Sequence, residues 1–302
     1  MRKFLYKILR YIVLLISIIA IFFILNSFLI KKYDLLKAEN SKNKLIIGAS
    51  RTANAINDKI VNHSVNLSAA GDPLFYSLVK LKNIKKNNSN IDTVLLSLDN
   101  RTISLKNANH FYRSLSIESK LPYYYNFLAL NDFKLLYTIN KYSTLKPLLE
   151  IPKYSLKLVK NIILKPHDVK SLNIGGNLEV KHVIDQSFID QFIINDSLNN
   201  YTLSKIEINN LKSIVEFCKS NNTELIFINP PLHPAMYNSL EYQEGKLIFE
   251  IFLTEKLPNI TYLDFSNDFL QDSCYADLIH LNKKGATIFS KKLDSILKTS
   301  KK

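Results

Sequence analysis

The chain has 302 residues, 47% of them hydrophobic, which is enough for one large or two small domains with a real core. Its formal charge of +14 comes from 40 Lys and Arg against 26 Asp and Glu, spread in ones and twos rather than in blocks. This composition excludes a disordered protein, and scattered lysines are typical of a solvated surface.

The amino-terminal segment has the length and composition of a membrane anchor. Residues 11–30 are apolar apart from four polar members, and at about 1.5 Å per residue they reach about 30 Å, one bilayer core. A secretory signal peptide is shorter and ends at a site of small residues, whereas this stretch runs directly into Lys31 and Lys32. We therefore predict an uncleaved anchor within residues 1–32, with a cleaved signal peptide as the alternative.

Basic residues flank this anchor unequally, which predicts its orientation. More of them precede residues 11–30 than follow, so the positive-inside rule places the amino terminus in the cytoplasm and the main domain outside, periplasmic or extracellular. An exported domain does not meet nucleic acid, so its positive charge favours anionic lipid headgroups or an acidic glycan. The flanking residues are Arg2, Lys3, Lys7 and Arg10 before the anchor, and Lys31 and Lys32 after it.

Short apolar segments follow a polar spacer at residues 33–43. They are β-branched or aliphatic and are bounded by turn residues, which is typical of buried strands. Helical patterns separate them, the first with Asp72 as N-cap and Pro73 as first helical residue. This alternation predicts a three-layer α/β/α fold over residues 44–300, with a central parallel sheet of about five strands, flavodoxin-like. The predicted strands are residues 45–47, 64–67, 93–98, 224–228 and 260–265.

Residues from about 103 to 201 interrupt the alternation. This segment is rich in Tyr, Leu, Lys and Asn, and it has no clear strand pattern. It therefore predicts a mainly helical insertion between the third and fourth strands. Its aromatic cluster around Tyr124 either lines a sugar-stacking groove or forms the core of a small helical subdomain, and the second interpretation is preferred.

Polar residues follow several predicted strands at one edge of the sheet. In an open parallel sheet, active residues gather at the carboxyl ends of the strands. Ser50 follows the first predicted strand, Gly71 the second and Asn100 the third. Asp277 and His280 follow the fifth. A hydroxyl at a strand-to-loop turn, with an Asp and a His before the last helix, supplies the residue types of a nucleophile, a base and an orienting acid.

These segments resemble the sequence blocks of the SGNH (GDSL-like) hydrolases and acyltransferases, in particular the membrane-anchored branch associated with O-acetylation of cell-surface polysaccharides. The first block, Gly-Asp-Ser in the family, reads Gly-Ala-Ser at residues 48–50. Residues 66–71 (NLSAAG) are similar to the second block, and residues 98–101 (LDNR) occupy the place of the third, Gly-x-Asn-Asp. The last block, Asp-x-x-His, is intact at residues 277–280.

The resemblance implies a role for each block. Ser50 would be the nucleophile, His280 its general base, and Asp277 the acid that orients the imidazole. The backbone N–H groups of Ser50 and Gly71 and the side chain of Asn100 would bind the developing oxyanion. The chain departs from the family pattern in two places. In the first block, Ala replaces the usual Asp. The third block, which would supply the oxyanion asparagine, matches in position only.

Each candidate residue also has a structural interpretation. Ser50 could cap a helix after the strand, and Asp277 with His280 could cap the last helix. Arg51 either binds an anionic substrate group or pairs with a neighbouring acid. No histidines have metal-ligand spacing, and the chemistry requires neither a metal nor an organic cofactor. The two cysteines either form a disulfide or are separate thiols.

The preferred hypothesis is a membrane-anchored serine esterase or O-acyltransferase outside the cytoplasmic membrane. It would act on acyl esters, of which acetyl is the expected one, of a cell-envelope or secreted polysaccharide. The family resemblance implies the glycan and a multi-pass membrane protein that supplies acyl groups, while no nucleic acid is expected as a partner. The alternative is a catalytically inactive binding or assembly protein for polysaccharide export, because of the altered first and third blocks.

Overall fold

The computed structural model describes residues 2–164, 169–194 and 201–299. The chain divides into two compact units, each with its own packing. We name them the helical unit, which comprises Met1–Ala38 and Tyr112–Asn173, and the α/β unit, which comprises Glu39–Phe111 and Ile174–Lys302.

The α/β unit is built on a five-stranded parallel sheet with the order β2-β1-β3-β4-β5. This is the flavodoxin-like strand order. The predicted fold class and the predicted strands are confirmed, with ends that differ by at most one residue. The strands are β1 (Lys44–Ile47), β2 (Ser64–Asn66), β3 (Thr93–Ser97), β4 (Glu224–Asn229) and β5 (Thr261–Asp264).

The helices of the chain run in the order α1 to α13. Their bounds are α1 (Arg2–Lys32), α2 (Ser50–Ala55), α3 (Leu74–Asn87), α4 (Leu105–Phe111), α5 (Ser114–Tyr124), α6 (Leu130–Ile139), α7 (Lys141–Leu145), α8 (Ile151–Leu164), α9 (Gln186–Ile194), α10 (Lys205–Ser220), α11 (Pro234–Tyr237), α12 (Leu240–Lys256) and α13 (Lys283–Thr299). Short 3-10 segments occur at Tyr125–Phe127, Lys146–Glu150, Val169–Leu172 and Asp272–Cys274.

Helices cover both faces of the sheet because the middle residues of its central strands are apolar on both faces. Ile46, Leu95 and Ile226 are neighbours in register on one face, where they pack with residues of α2 and α13 in a single core cluster. Helices α3 and α10 pack together, α3 against β1 and α10 against β4. Strands buried on both faces lack polar alternation, which explains their continuous apolar sequence.

Helix α3 begins one residue later than the sequence predicted. Pro73 is the N-cap and Leu74 the first helical residue, while Asp72 is not the cap. The Asp72 carboxylate instead accepts a hydrogen bond at 2.7 Å from the buried ammonium of Lys80. The buried charge of Lys80 needs a counter-ion, and this requirement outweighs the capping preference of Asp72.

The predicted insertion at about 103–201 contains helices and no strand among its described residues. Its middle part, Tyr112–Asn173, belongs to the helical unit, because α8 packs against α1, whereas its two ends belong to the α/β unit. Residues 165–168 and 195–200 of the predicted insertion lie outside the described residues. Tyr124 and Tyr125 are buried in the helical unit, so they form its core rather than an open sugar groove.

Helix α1 is the one helix in the described residues that is long and apolar enough to cross a membrane. Its 31 residues include the whole predicted anchor. Most of its apolar side chains face outward in the protein alone, as a lipid-facing surface requires. The two cysteines, Cys218 and Cys274, are both buried free thiols.

Candidate active site

Ser50 stands where the chain turns from β1 into α2, and it is the first residue of that helix. Gly48 makes the turn possible, because a Cβ atom there would lie 2.3 Å from Cβ of Ser97 on β3. Only a residue without a side chain allows this close approach. The strand therefore delivers the Ser50 hydroxyl at its carboxyl end, beside β3.

Asp277 and His280 lie in the segment between the Asp272–Cys274 turn and α13. The structure brings them to Ser50, although 230 residues separate His280 from the serine. His280 Nε2 lies 2.8 Å from Ser50 Oγ, and His280 Nδ1 lies 2.7 Å from Asp277 Oδ2. These three side chains form a continuous hydrogen-bonded chain from hydroxyl to carboxylate.

Backbone groups hold the carboxylate of Asp277 in this position. The N–H groups of Ile279 and His280 donate to Asp277 Oδ1 at 2.8 and 2.9 Å. Burial alone would raise the pKa of Asp277, but the hydrogen bonds from His280 and from these N–H groups hold it below its ordinary value. An ionised carboxylate only accepts hydrogen bonds, so His280 carries its proton on Nδ1 and leaves Nε2 free to accept from Ser50.

Arg51 follows the serine and is nearly buried. Its guanidinium forms an ion pair with Asp99 after β3, and it donates to Asn229 Oδ1 at the end of β4 at 2.8 Å and to the carbonyl of Pro230. Of the two roles predicted for Arg51, this geometry favours pairing with an acid. These contacts tie α2, the helix that begins at Ser50, to the carboxyl ends of two neighbouring strands.

Asp99 completes this buried pair. Burial alone would raise its pKa, but the charge of Arg51 and the hydrogen bond from the Thr102 hydroxyl hold the pKa below its ordinary value. Its place at the end of β3 was visible in the sequence. Its partner was not, because the spacing of 48 residues between Asp99 and Arg51 carries no local pattern.

Asn100, predicted to bind the oxyanion, is buried with its side chain already engaged. Its Nδ2 donates to the carbonyl of Tyr242 at 3.0 Å, and its Oδ1 accepts from the N–H of Arg101 at 2.9 Å. The hydroxyl of Tyr201 donates to its backbone carbonyl. Asn100 therefore fixes the loop after β3 against α12.

Gly71, the other predicted oxyanion donor, lies in the loop between β2 and α3. Its φ of 70° is in the left-handed region that favours glycine. Buried Lys80 holds this loop in place, because its ammonium donates to the carbonyl of Leu67 before Gly71 and to the carboxylate of Asp72 after it. The burial of Lys80 was not predicted from the sequence, because a lysine in an amphipathic helix normally lies on the solvent face.

A cavity of about 580 Å³ borders the segment that carries Asp277. Its apolar wall comes from α9, α11 and α12, and its polar wall comes from the segment after β3, including Arg101. Arg101 directly follows Asn100, but no motif in the sequence predicted that it would line a cavity. Representative wall residues are Phe188, Phe192, Tyr201, Met236 and Tyr242.

The site lies at the point of the sheet where strand order reverses. From β1 the chain crosses to β2 on one side, and from β2 it returns past β1 to β3 on the other. The crevice outside the carboxyl ends of such strands is where open α/β sheets bind ligands. Ser50 after β1 and Asn100 after β3 occupy this crevice edge.

Comparisons with known proteins give fold-level likenesses. A protein-family model matches residues 193–301, which is less than half of the chain. The search of curated proteins found no match to this chain. One similar solved structure is a GDSL-like lipase from Bacteroides thetaiotaomicron, with 9% identity, a TM-score of 0.40, and coverage of 87% of this chain and 91% of that chain.

A second similar structure comes from Bacteroides fragilis, and its assignment as an acylhydrolase is itself provisional. It has 11% identity, a TM-score of 0.39, and coverage of 87% of this chain and 90% of that chain. Both TM-scores lie below 0.5, so the function proposed below depends on the site geometry and not on these likenesses. The strand order is that of a flavodoxin-like doubly wound sheet, as the predicted fold class implies.

Proposed function

We propose that this protein is a membrane-anchored SGNH-like serine esterase or O-acyltransferase. One observation carries the proposal, the 2.8 Å contact between Ser50 Oγ and His280 Nε2 in a chain that continues to Asp277. This hydrogen-bonded arrangement is that of a nucleophile, a general base and an orienting acid. A helix-capping role for Ser50 would not require its hydroxyl to meet an imidazole from the far end of the chain.

Acylation of the serine follows from this geometry. As Ser50 Oγ bonds to the acyl carbonyl carbon, its proton passes to His280 Nε2, and the imidazolium that forms is stabilised by ionised Asp277. The tetrahedral intermediate then breaks its bond to the leaving alcohol oxygen, which takes the proton from His280. An ester of Ser50 and a free alcohol result. General base action of this kind contributes about 10²- to 10⁴-fold.

The second half-reaction decides between hydrolysis and transfer. His280 takes a proton from water or from a sugar hydroxyl, whose oxygen attacks the acyl-Ser50 carbonyl, and the proton returns to Ser50 Oγ as the bond to serine breaks. Water would yield a carboxylic acid, whereas a sugar hydroxyl would yield a new acyl ester. The cavity beside Asp277 is large enough to hold a sugar that donates or accepts the acyl group.

Backbone groups are the proposed oxyanion donors. The N–H groups of Ser50, at the first turn of α2, and of Gly71, in the loop held by Lys80, are the candidates, each worth about 10²- to 10³-fold. Asn100 Nδ2 already donates to Tyr242, so the proposal gives it a positioning role. The proposal thus needs no asparagine in the position where the third block departs from the family.

The setting of the reaction is also proposed. Helix α1 would span the cytoplasmic membrane through residues 11–30, with its amino terminus inside and the α/β unit in the periplasm or outside the cell. The substrate would be a cell-envelope or secreted polysaccharide with acyl esters, acetyl being the expected group. A multi-pass membrane protein would supply acyl groups if the reaction is transfer.

Labelling with a serine-directed fluorophosphonate tests the chemistry. The full chain in detergent is compared with Ser50→Ala and His280→Ala, because α1 packs against α8 and its removal would change the helical unit. We expect the wild type to be labelled and the Ser50→Ala and His280→Ala variants not to be, together with hydrolysis of 4-nitrophenyl acetate that falls at least 10³-fold in both variants. Ser220→Ala and His182→Ala, both on the exposed surface of the α/β unit, are the matched controls and retain labelling.

The inactive alternative makes the opposite prediction. A binding or assembly protein with this fold would not label between about pH 6 and pH 9, although its Ser50 and His280 lie in contact. Labelling that persists in Ser50→Ala would locate the reactive serine elsewhere. Either result would remove the enzymatic proposal and leave the fold.

A further inference from the structure

One cation of the cavity beside Asp277, Arg101, forms no ion pair with any of the described residues. Arg101 lines the cavity and is only partly buried. Within the described parts of the chain, no carboxylate forms an ion pair with its guanidinium, although ion pairs form at other cations nearby. An arginine that faces a cavity with its donors unengaged is a candidate for binding a ligand anion.

The acids around Arg101 are already used by other cations. Asp99 pairs with Arg51, Glu241 with Lys106 at 2.5 Å, and Asp277 with His280. Burial lowers the pKa of Arg101 from its ordinary value, while the charges of these three acids act in the opposite direction. Arginine remains charged at neutral pH despite such shifts. The cavity therefore holds a partly desolvated cation that a bound anion would stabilise.

The rest of the cavity has the composition of a sugar site. Phe188, Phe192 and Tyr201 supply aromatic surface, and aromatic faces pack against the apolar faces of sugar rings. Asn107 and Ser104 also line the cavity, where their side chains donate to the backbone carbonyl of Arg101 and hold that residue in place. Aromatic surface, hydrogen-bonding groups and one available cation together fit an acidic sugar better than a fatty acyl chain.

We propose that this cavity binds a sugar unit that carries a carboxylate, and that the guanidinium of Arg101 holds that carboxylate. The inference rests on the proposed function, because it names the class of glycan that would be presented to Ser50. A monoanion is favoured over a phosphate dianion, since Asp277 and Glu241 border the same cavity and would repel a second negative charge. The binding pocket thus selects a uronic-acid-containing polysaccharide.

Binding of D-glucuronate and D-glucose tests this assignment. Isothermal titration uses the full chain in detergent with Ser50→Ala, so no turnover interferes with the measurement. We expect glucuronate to bind roughly tenfold to a hundredfold more tightly than glucose, the range of a charge-assisted hydrogen bond. Arg101→Gln should abolish this preference, and Arg101→Lys should retain part of it. Lys292→Gln, which removes an exposed cation paired with Asp268 and does not line the cavity, is the matched control and keeps the preference.

Each result decides a separate point. Equal binding of the two sugars, or a preference that survives Arg101→Gln, overturns the carboxylate site while fluorophosphonate labelling still supports the enzyme. A glucuronate preference without labelling supports the site and overturns the enzyme. A melting curve for Arg101→Gln that matches the parent variant shows that loss of binding does not come from unfolding.

An independent observation concerns the helical unit, where a contact reaches into the predicted membrane span. Asn126 Nδ2 donates to the carbonyl of Phe23 at 3.0 Å and to Ser27 Oγ at 2.7 Å, both on α1. Asn26 of α1 is buried in the same unit. Phe23 lies seven residues before Ile30, about 10 Å along the helix. The helical unit therefore covers the last third of the predicted span.

The same unit leaves large apolar side chains exposed. On α8, Leu156 and Ile163 are 68% and 76% exposed, and their spacing of seven places them on one helix face, while Ser155 and Ile162 are buried. Residues 112–173 carry ten Lys and Arg against four Asp and Glu. Further exposed apolar residues are Leu130 at 69%, Tyr142 at 68%, Leu149 at 56% and Leu164 at 67%.

We infer that the helical unit lies in the membrane interface beside α1, with the exposed face of α8 in contact with lipid. The inference rests on α1 spanning the bilayer. Amphipathic helices enter the headgroup and upper acyl region by about 5–10 Å, which agrees with the depth that the Asn126 contacts require. The excess of lysines suits anionic headgroups. This placement removes the need for a water-exposed apolar face.

Fluorescence quenching in vesicles tests the lipid contact. The full chain with Leu156→Cys, Ile163→Cys or Leu247→Cys carries the dye NBD in phosphatidylcholine and phosphatidylglycerol vesicles. Leu247 of α12 is 62% exposed and is the matched control in the α/β unit, while wild type controls for the two buried cysteines. We expect doxyl-labelled lipid to quench positions 156 and 163 several-fold more than position 247.

Equal quenching at all three positions would overturn the inference. Protection of positions 156 and 163 from aqueous iodide without quenching by lipid would show that a second copy of the chain covers this face, which also overturns it.

Discussion

The α/β unit and the helical unit distribute polarity in opposite ways. The α/β unit buries two ion pairs, Arg51 with Asp99 and Lys80 with Asp72, at the edge of the sheet where the catalytic candidates stand. The helical unit keeps its ion pairs at the surface, such as Lys153 with Glu150, and exposes apolar side chains. Buried charges occur where side-chain positions must be fixed, whereas exposed apolar surface occurs beside the anchor helix.

The largest effect should come from Asp277→Asn, which breaks the site without disturbing either unit. The amide can donate to His280 Nδ1 and so favours the wrong imidazole tautomer. We expect turnover of 4-nitrophenyl acetate to fall about 10⁴-fold with little change in melting temperature. Asp268→Asn, which removes only a surface pair with Lys292, is the control. Activity of Asp277→Asn within tenfold of wild type would contradict the triad.

Removal of the buried pair of Arg51 and Asp99 should destabilise the α/β unit and leave the helical unit unchanged. Arg51→Met leaves Asp99 buried without its partner, and we expect a loss of about 3–5 kcal/mol in unfolding free energy. The matched change Lys106→Met removes an exposed pair with Glu241 and should cost less than about 1 kcal/mol. Hydrogen exchange of the two variants measures both effects. Faster exchange in α5 and α8 as well would contradict the separation into two units.

A smaller effect is expected at the turn before the nucleophile. Gly48→Ala places a Cβ atom 2.3 Å from Cβ of Ser97, so β1 and β3 must shift at their carboxyl ends. Overpacking of this kind costs about 1–3 kcal/mol. Thermal melting measures the loss, and the rate of fluorophosphonate labelling should fall with it because Ser50 follows two residues later. A melting temperature of Gly48→Ala equal to that of the wild type would contradict the close contact between this turn and Ser97.

The smallest effect should come from the helical unit. Asn126→Ala removes hydrogen bonds to Phe23 and Ser27 of α1, and we expect a loss of about 1 kcal/mol. Limited proteolysis of the detergent-solubilised chain should then cleave within α5 to α8 sooner, while the α/β unit stays intact. Asn131→Ala, on the exposed surface of α6, is the control. Equal cleavage of both variants would mean that Asn126 does not fasten α1 to this unit.

The sheet was predictable because strands that are buried on both faces appear in the sequence as short, continuous apolar segments. The candidate triad was predictable because the last sequence block is local, with Asp277 and His280 three residues apart. The partners of Arg51 and the burial of Lys80 were not predictable, because each depends on residues that only the folded sheet brings together. The same holds for the start of α3, where Lys80 takes the carboxylate of Asp72 that would otherwise cap the helix.

The guanidinium of Arg51, next to Ser50, bonds to residues at the carboxyl ends of two other strands. These bonds limit how the site could be transferred to another protein. Moving residues 48–51 into another sheet would transfer the hydroxyl of Ser50 but not the contacts of Arg51 that fix its position. An engineered host would also need an acid after the adjoining strand and an amide oxygen after the next, matching Asp99 and Asn229. The smallest unit that could be moved to another protein with this site intact is therefore a corner of three strands rather than a tetrapeptide.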